Sequence, residues 1–596
     1  MSRLGKAAGA AMAEEQVGKV YDARLFRRLW PLVRPRRALV FFGLLLVLAG
    51  SAAQLAQPYL IKLAVDRAVI PGRRDLLVLY ALAFGAFLLA EFLLRYGQIF
   101  SLEKLGQEVV YDLRTQLFAH LQELSSSFFD RNPVGRLVAR VTTDVEAIQE
   151  AFSSGLVLIL ADLFRLAAIV VILVLMDPWL AAVTFAIVPP MLVVSWFFRQ
   201  RVRASYRRAR ALIGELNGMI QEMISGMRLV QLFGRESHTA REFEDLNQRH
   251  RDAELRAVTY ESAFSAVAEL LGSLTLAAIL WAGGLRLIGD HVTFGTLVAF
   301  IEYSRRFFRP LQELTQRYTV MQSAMAAAER VFQLLDTRPA IVTPAAPVVL
   351  DAPRGAIRFE AVDFAYDPAA PVLRGLDFSI EPGQTVAVVG ATGSGKSTLI
   401  RLLSRLYDVD RGRILIDDVD IRRLDLHALR RLVGVVPQDP FLFAGSIAGN
   451  ISLSDPTITP QRIRRAAEAV QADRFIRRLP HGYDESVRER GGNFSVGERQ
   501  LICFARVLAF DPAIVVLDEA TASVDSSTEA LIRTALDRLL AGRTSIIIAH
   551  RLTTTTGADR ILVLHKGRLV ESGTHDELMA REEGIYRTLY SLQAAG

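Results

Sequence analysis

The feature that most constrains this chain is a series of long apolar runs confined to its first 310 positions. They lie near residues 38–63, 76–99, 154–176, 179–198 and 270–288, and each is close to or above the ~20 residues that a helix needs to cross a bilayer. A weaker sixth run, 294–308, carries Glu302, Arg305 and Arg306, so hydropathy alone does not assign it. At 596 residues, a soluble chain would be expected to form roughly four domains of ~150 residues. The apolar runs exclude that reading, together with a fibrous or disordered chain.

Charge gives the runs a direction. The connections after the first, third and fifth runs are short, whereas those after the second and fourth reach fifty residues or more. Residues 1–37 hold nine Lys and Arg, 100–151 hold five and 199–262 hold twelve, while the short connections hold only Arg67, Arg73 and Arg74. The positive-inside rule then places the N terminus and both long connections in the cytoplasm. The net charge of +7 therefore marks one side of a membrane and does not point to nucleic acid as a partner. Residues 1–37 show no short apolar core followed by a cleavage site, so no signal peptide is expected. A single cysteine, Cys503, excludes a disulfide framework and a cysteine zinc site.

Both long connections read as helices. Around 101–124 and 204–230 apolar residues recur every three to four positions between charges. About 25 further residues at ~1.5 Å each carry a membrane helix roughly 35–40 Å beyond the bilayer. Each connection turns at a polar tip, Asp130-Arg131-Asn132-Pro133-Val134-Gly135 and Gly234-Arg235-Glu236-Ser237. Residues 337–353 are a Pro- and Ala-rich linker, after which β-rich runs such as 357–364 and 385–389 alternate with helical ones. The expected plan is 1–37 cytosolic, 38–336 an all-α membrane domain, 337–353 a linker and 354–596 an α/β domain.

The chemistry lies in that last part. Gly390-Ala391-Thr392-Gly393-Ser394-Gly395-Lys396-Ser397-Thr398 follows an apolar strand and leads into an apolar helix, the context that a phosphate-binding loop requires. Its glycines let backbone N–H groups turn onto phosphates at the positive end of a helix. Lys396 is placed for the β and γ phosphates of ATP, and Ser397 for Mg²⁺. Downstream, Ile514-Val515-Val516-Leu517 ends in Asp518 and Glu519. Asp518 is placed in the metal shell, and Glu519 to orient or deprotonate the attacking water.

With these motifs in place, residues 355–590 resemble the nucleotide-binding domain of ABC transporters. Over about 20–590 the chain resembles one half of a six-helix ABC exporter with membrane and ATPase domains fused. The resemblance implies that Tyr366 stacks on adenine and that Gln438 senses the Mg²⁺/water site. It implies that His550 contacts the γ-phosphate, that Asp525 belongs to the loop after Glu519, and that the two tips are coupling helices. It also assigns the sixth run as a membrane helix. The signature motif falls on Phe494-Ser495-Val496-Gly497-Glu498, where Ser495 and Gly497 would face nucleotide. The family usually has Leu-Ser-Gly-Gly-Gln there.

Val496 is the physically telling departure, because a β-branched residue opposes close backbone approach and positive φ. In this family a chain's signature serves the nucleotide of its partner. A complete hydrolytic set beside an altered signature predicts a heterodimer. Its partner would carry an intact signature and lack the glutamate equivalent to Glu519. The expected activity is ATP-driven export of a hydrophobic or amphiphilic drug, lipid or peptide across a bacterial inner membrane. The alternative is a nucleotide-gated channel or regulatory protein. Glu91, Arg95, Asp162, Arg165 and Glu269 fall within spans; the pairs Glu91/Arg95 and Asp162/Arg165 stand at helical spacing that lets each neutralise itself.

Overall fold

The computed structural model describes residues 23–518, 526–549 and 555–594, and the chain forms two compact units. The first comprises residues up to His120 together with Gly135–Asp336, and the second comprises Leu121–Val134 and everything from Thr337 onward.

The first unit is helical. Among the described residues, five stretches are long and apolar enough to cross a membrane: Arg27–Val69, Arg74–Glu123, Val134–Met176, Pro178–Ser225 and Glu236–Ile288. They contain the five clear runs read from sequence. Large apolar side chains such as Leu175 (80% exposed) and Ile288 (84%) point away from the protein, as a lipid solvent requires. The predicted continuation past the second run is one helix, Arg74–Glu123, on which Leu102, Leu105, Val109, Leu113 and Leu117 form a buried stripe. The 3.6-residue period put those leucines on a single face.

The sixth run begins the helix Phe294–Leu335. Its modest hydropathy has a structural cause. Leu297, Phe300, Tyr303 and Phe307 are buried against Leu55, Ile169, Leu173, Leu180 and Ile279 from the other helices, and Arg306, unlike the exposed Arg305, meets protein. Arg306 donates to the Gln54 carbonyl and, at 3.0 Å, to Gln57 Oε1. Arg317 Nε lies 2.8 Å from Asp162 Oδ2. Asp162, 2% exposed, also faces Arg165 at 3.4 Å, so the expected i,i+3 pair forms with a second guanidinium added. The Glu91/Arg95 pair differs from expectation: Glu91 accepts from Gln57 Nε2 at 2.5 Å, a partner from the first span that spacing along one helix does not reveal.

The second unit is α/β. Strands β1 (Ile357–Asp367), β2 (Ala370–Ile380), β3 (Thr385–Val389), β4 (Arg411–Ile416), β5 (Val419–Asp420) and β6 (Val433–Val436) come first. They are followed by β7 (Gly445–Ser446), β8 (Ser486–Val487), β9 (Ile514–Asp518), β10 (Thr544–Ile548), β11 (Arg560–His565) and β12 (Arg568–Gly573). An antiparallel sheet runs β2-β1-β4-β5, β7 pairs with β8, and the main sheet runs β12-β11-β3-β10-β9-β6. In the main sheet, β11, β3, β10, β9 and β6 are mutually parallel. Two-residue alternation sorts its side chains. Ile514, Val516, Ile546 and Ile548 pack with Phe359 and Ile416 of the antiparallel sheet. Val515, Leu517 and Ile547 pack with Ile451, Ile463, Ile502 and Phe504 of the helices. Parallel strands buried on both faces bring their carboxyl ends, and the loops that leave them, to one edge.

Candidate functional site

That edge gathers the predicted chemistry. β3 delivers the phosphate loop, β9 ends on Asp518, and Gln438 follows the end of β6 by two residues. Gly390, Gly393 and Gly395 hold φ of 154°, 81° and 101°, and two of these positions also lack room for a side chain. A Cβ on Gly390 would lie 2.2 Å from the Leu564 carbonyl oxygen, and one on Gly395 would lie 2.6 Å from Leu373 Cδ2. Gly395 caps the helix Lys396–Leu403 without any side-chain bond, so the loop's backbone carries the recognition. The Lys396 side chain is buried, with Nζ donating to the carbonyls of Gly390 at 2.7 Å and Ala391 at 3.1 Å. The Ser394 hydroxyl is buried within the loop and has no hydrogen-bond partner among the described residues. Thr392, Gly393 and Ser397 are exposed, whereas Thr398 is buried. Gln438 is exposed and Asp518 half-buried. Glu519, Asp525 and His550 lie outside the described residues.

Tyr366 lies on β1, its hydroxyl 3.2 Å from Thr398 Oγ1 of the phosphate-loop helix. Its ring meets Phe364 and Tyr407 edge-on, with centroids 4.9 and 5.1 Å away, and the Arg401 guanidinium sits 5.5 Å over it. Both Arg401 and Tyr407 reach Asp130 of the first tip, which folds as part of this unit. Arg401 Nη1 is 3.6 Å from the Asp130 carboxylate, and the Tyr407 hydroxyl donates to the same oxygen. Burial, then the Asp130 carboxylate, push the Tyr407 hydroxyl pKa up to about 12. The tip was legible as a polar turn; its partners were not, because Arg401 and Tyr407 belong to no motif.

The signature begins the helix Val496–Phe510. Leu501, Ile502, Cys503, Phe504 and Ala505 are all buried, so the helix is enclosed on every side there, and burial pushes the Cys503 thiol pKa up. Ser495 and Glu498 form a reciprocal capping box at its start. Val496 is 40% exposed, while Gly497 is buried. The Ser-x-x-Glu spacing that announces such a box was present in the sequence.

A family model described as the ABC transporter transmembrane region matches residues 40–311, and a model described as ABC transporter matches 373–522. An uncharacterized ABC transporter ATP-binding protein of Bacillus subtilis, YknV, is 37% identical over 583 residues, covering 98% of this chain and 96% of the relative. The chain belongs to the ABC transporter family. An ATP-dependent lipid A-core flippase of Syntrophus aciditrophicus is 36% identical, over 96% of this chain and 94% of the flippase. Among solved structures, a bacterial Atm1-family ABC exporter with ATP bound superposes with a TM-score of 0.74 at 31% identity, covering 94% of this chain and 99% of that one. This ABC transporter is thus an integral membrane protein of the exporter type, an ATPase whose hydrolysis is coupled to transport.

Proposed function

We propose that this chain is one subunit of a heterodimeric exporter that moves a hydrophobic or amphiphilic compound (drug, lipid or peptide) by alternating access. In this reading it sits in a bacterial inner membrane with its N terminus and ATPase domain in the cytoplasm. Residues 38–336 form the membrane domain, 337–353 the linker and 354–596 the ATPase domain. The likeness to a lipid A-core flippase supports a lipid-like substrate.

The observation that carries the reading is the convergence of the phosphate loop, Asp518 and Gln438 at the carboxyl edge of one parallel sheet. Backbone N–H groups of Gly393, Gly395 and their neighbours would hold the phosphates, with Lys396 turning from the Gly390 and Ala391 carbonyls to the β and γ oxygens. Tyr366 would stack on adenine. Ser397, Gln438 and Asp518 offer hydroxyl, amide and carboxylate oxygens, the hard donors that suit Mg²⁺. When bound, Mg²⁺ neutralises charge that develops on the transferred phosphoryl group. Glu519 would orient and deprotonate the attacking water, His550 would contact the γ-phosphate, and Asp525 would complete the nucleotide site. ATP shifts the dimer toward its closed state by its greater affinity for that state, and hydrolysis resets it.

Glu519→Gln tests the assigned base. The variant is expected to bind ATP and close but to lose most hydrolysis, and a normal rate would overturn the assignment. The heterodimer is tested by purifying the chain alone: a stable homodimer with full ATPase turnover sinks it. ATP-dependent accumulation of candidate amphiphiles in inside-out vesicles, with the partner present, tests export itself.

A further inference from the structure

We propose that Glu498 sets how tightly nucleotide is held at the site this chain's signature completes, acting as a built-in anion where the terminal phosphate must arrive. The inference rests on the proposed sandwich, in which Ser495 faces a nucleotide carried on the partner's phosphate loop.

The bonds at the start of the signature helix carry the argument. Glu498 Oε2 accepts from the Ser495 backbone N–H at 2.9 Å and from the Ser495 hydroxyl at 2.9 Å. The Glu498 N–H donates back to Ser495 Oγ at 3.2 Å. The serine hydroxyl therefore has its proton directed to a carboxylate and a lone pair already used. The chain holds a second box of the same type at Thr574 and Glu577. There Glu577 Oε2 takes the Thr574 N–H at 3.0 Å, and the Glu577 N–H returns to Thr574 Oγ1 at 3.4 Å. Capping thus needs the two backbone bonds; the hydroxyl-to-carboxylate bond at Ser495 is additional.

An arriving phosphate competes with Glu498 twice. It needs the Ser495 hydroxyl as a donor, and it brings negative charge to a helix terminus whose positive end a carboxylate already offsets. Glu498 is half-buried, so solvent screens the repulsion only in part. A glutamine at this position can accept the same N–H bonds with no charge. Charge, not shape, is therefore the variable.

The test uses the full-length chain in the dimer it forms, with radiolabelled ATP and Mg²⁺ as the probe. Glu498→Gln is expected to tighten binding at the signature-completed site by about tenfold, the effect of removing one nearby like charge. The gap from wild type should narrow as salt rises, a dependence that a purely structural cap would not give. Glu498→Ala removes cap and charge together and is expected to bind more tightly than wild type as well, despite a lower unfolding temperature. Ser495→Ala, in parallel, should weaken binding. If Ser495→Ala weakens binding while both Glu498 variants bind as wild type, the sandwich stands and the role of Glu498 falls. If none of the three changes affinity, the sandwich reading fails with it.

Discussion

Two helices of the ATPase unit begin where phosphate is expected to lie, and they begin in opposite ways. The helix Lys396–Leu403 starts from a glycine at φ 101° with no side-chain cap, preceded by a loop that two further positive-φ glycines shape. No side chain among the described residues caps its first turn, and the Thr398 N–H donates to the Gly395 carbonyl at 3.1 Å. The helix Val496–Phe510 starts from a serine capped by its own glutamate, with an exposed valine between them. Ser495 Oγ takes the Glu498 N–H, and the Glu498 carboxylate takes the Ser495 N–H and hydroxyl. One start carries no side-chain anion, whereas the other holds a carboxylate with which an arriving phosphate must compete. That contrast is the physical form of the asymmetry proposed for the dimer: a strong site on this chain's own phosphate loop, and a weaker one behind its signature.

The comparison can be broken at either helix. Lys396→Ala removes the cation that the phosphate loop supplies and should lower ATP turnover by on the order of 10²–10³, as loss of one preorganised donor does. Phosphate release from the purified dimer measures it, and a rate near wild type would remove the strong site from the picture. Gly390→Ala strikes the loop's shape. The left-handed φ and the 2.2 Å approach to the Leu564 carbonyl should destabilise the unit by about 1–3 kcal/mol or more. Gly393→Ala has the same sign of φ but, among the described residues, nothing within 4 Å of its Cβ, so its unfolding temperature should fall less. Equal losses would show that backbone strain alone, not the close approach, fixes Gly390.

Smaller effects sharpen the other side. Ser495→Ala removes a cap and should lower stability by about 0.5–2 kcal/mol, read as a shift in thermal unfolding of the full-length chain. Asp130→Asn is expected to act least. Its contact with Arg401 spans 3.6 Å between partly exposed groups, worth about 0–1 kcal/mol. Basal ATPase should hold while the fraction stimulated by substrate declines. If basal turnover fell instead, the far end of the phosphate-loop helix would be part of the chemistry.

The legible parts of the molecule share a cause. Membrane spans, the phosphate loop and the strand ending in Asp518 are written in contiguous residues, where hydropathy, glycine spacing or an apolar run carries the information. What stayed hidden is written across distance. Gln57 as the partner of Glu91, Arg317 beside Asp162, and Arg401 with Tyr407 around Asp130 join residues from separate elements, and no local period announces them. The sixth helix lies between these cases. Arg306 lowers its hydropathy yet bonds Gln54 and Gln57 of the first span, so family likeness assigned it where composition did not. The Ser495–Glu498 box was readable from its spacing; only the direction of the serine hydroxyl needed coordinates.

The membership of Leu121–Val134 in the second unit has a consequence for how such a protein can be taken apart. A cut before Thr337 does not release the ATPase whole, since it strands Tyr407 and Arg401 without the Asp130 carboxylate they share. The piece that can be exchanged between relatives as a working module is therefore two separate stretches of gene, and an exchange that carries only the later one inherits a wound at its surface.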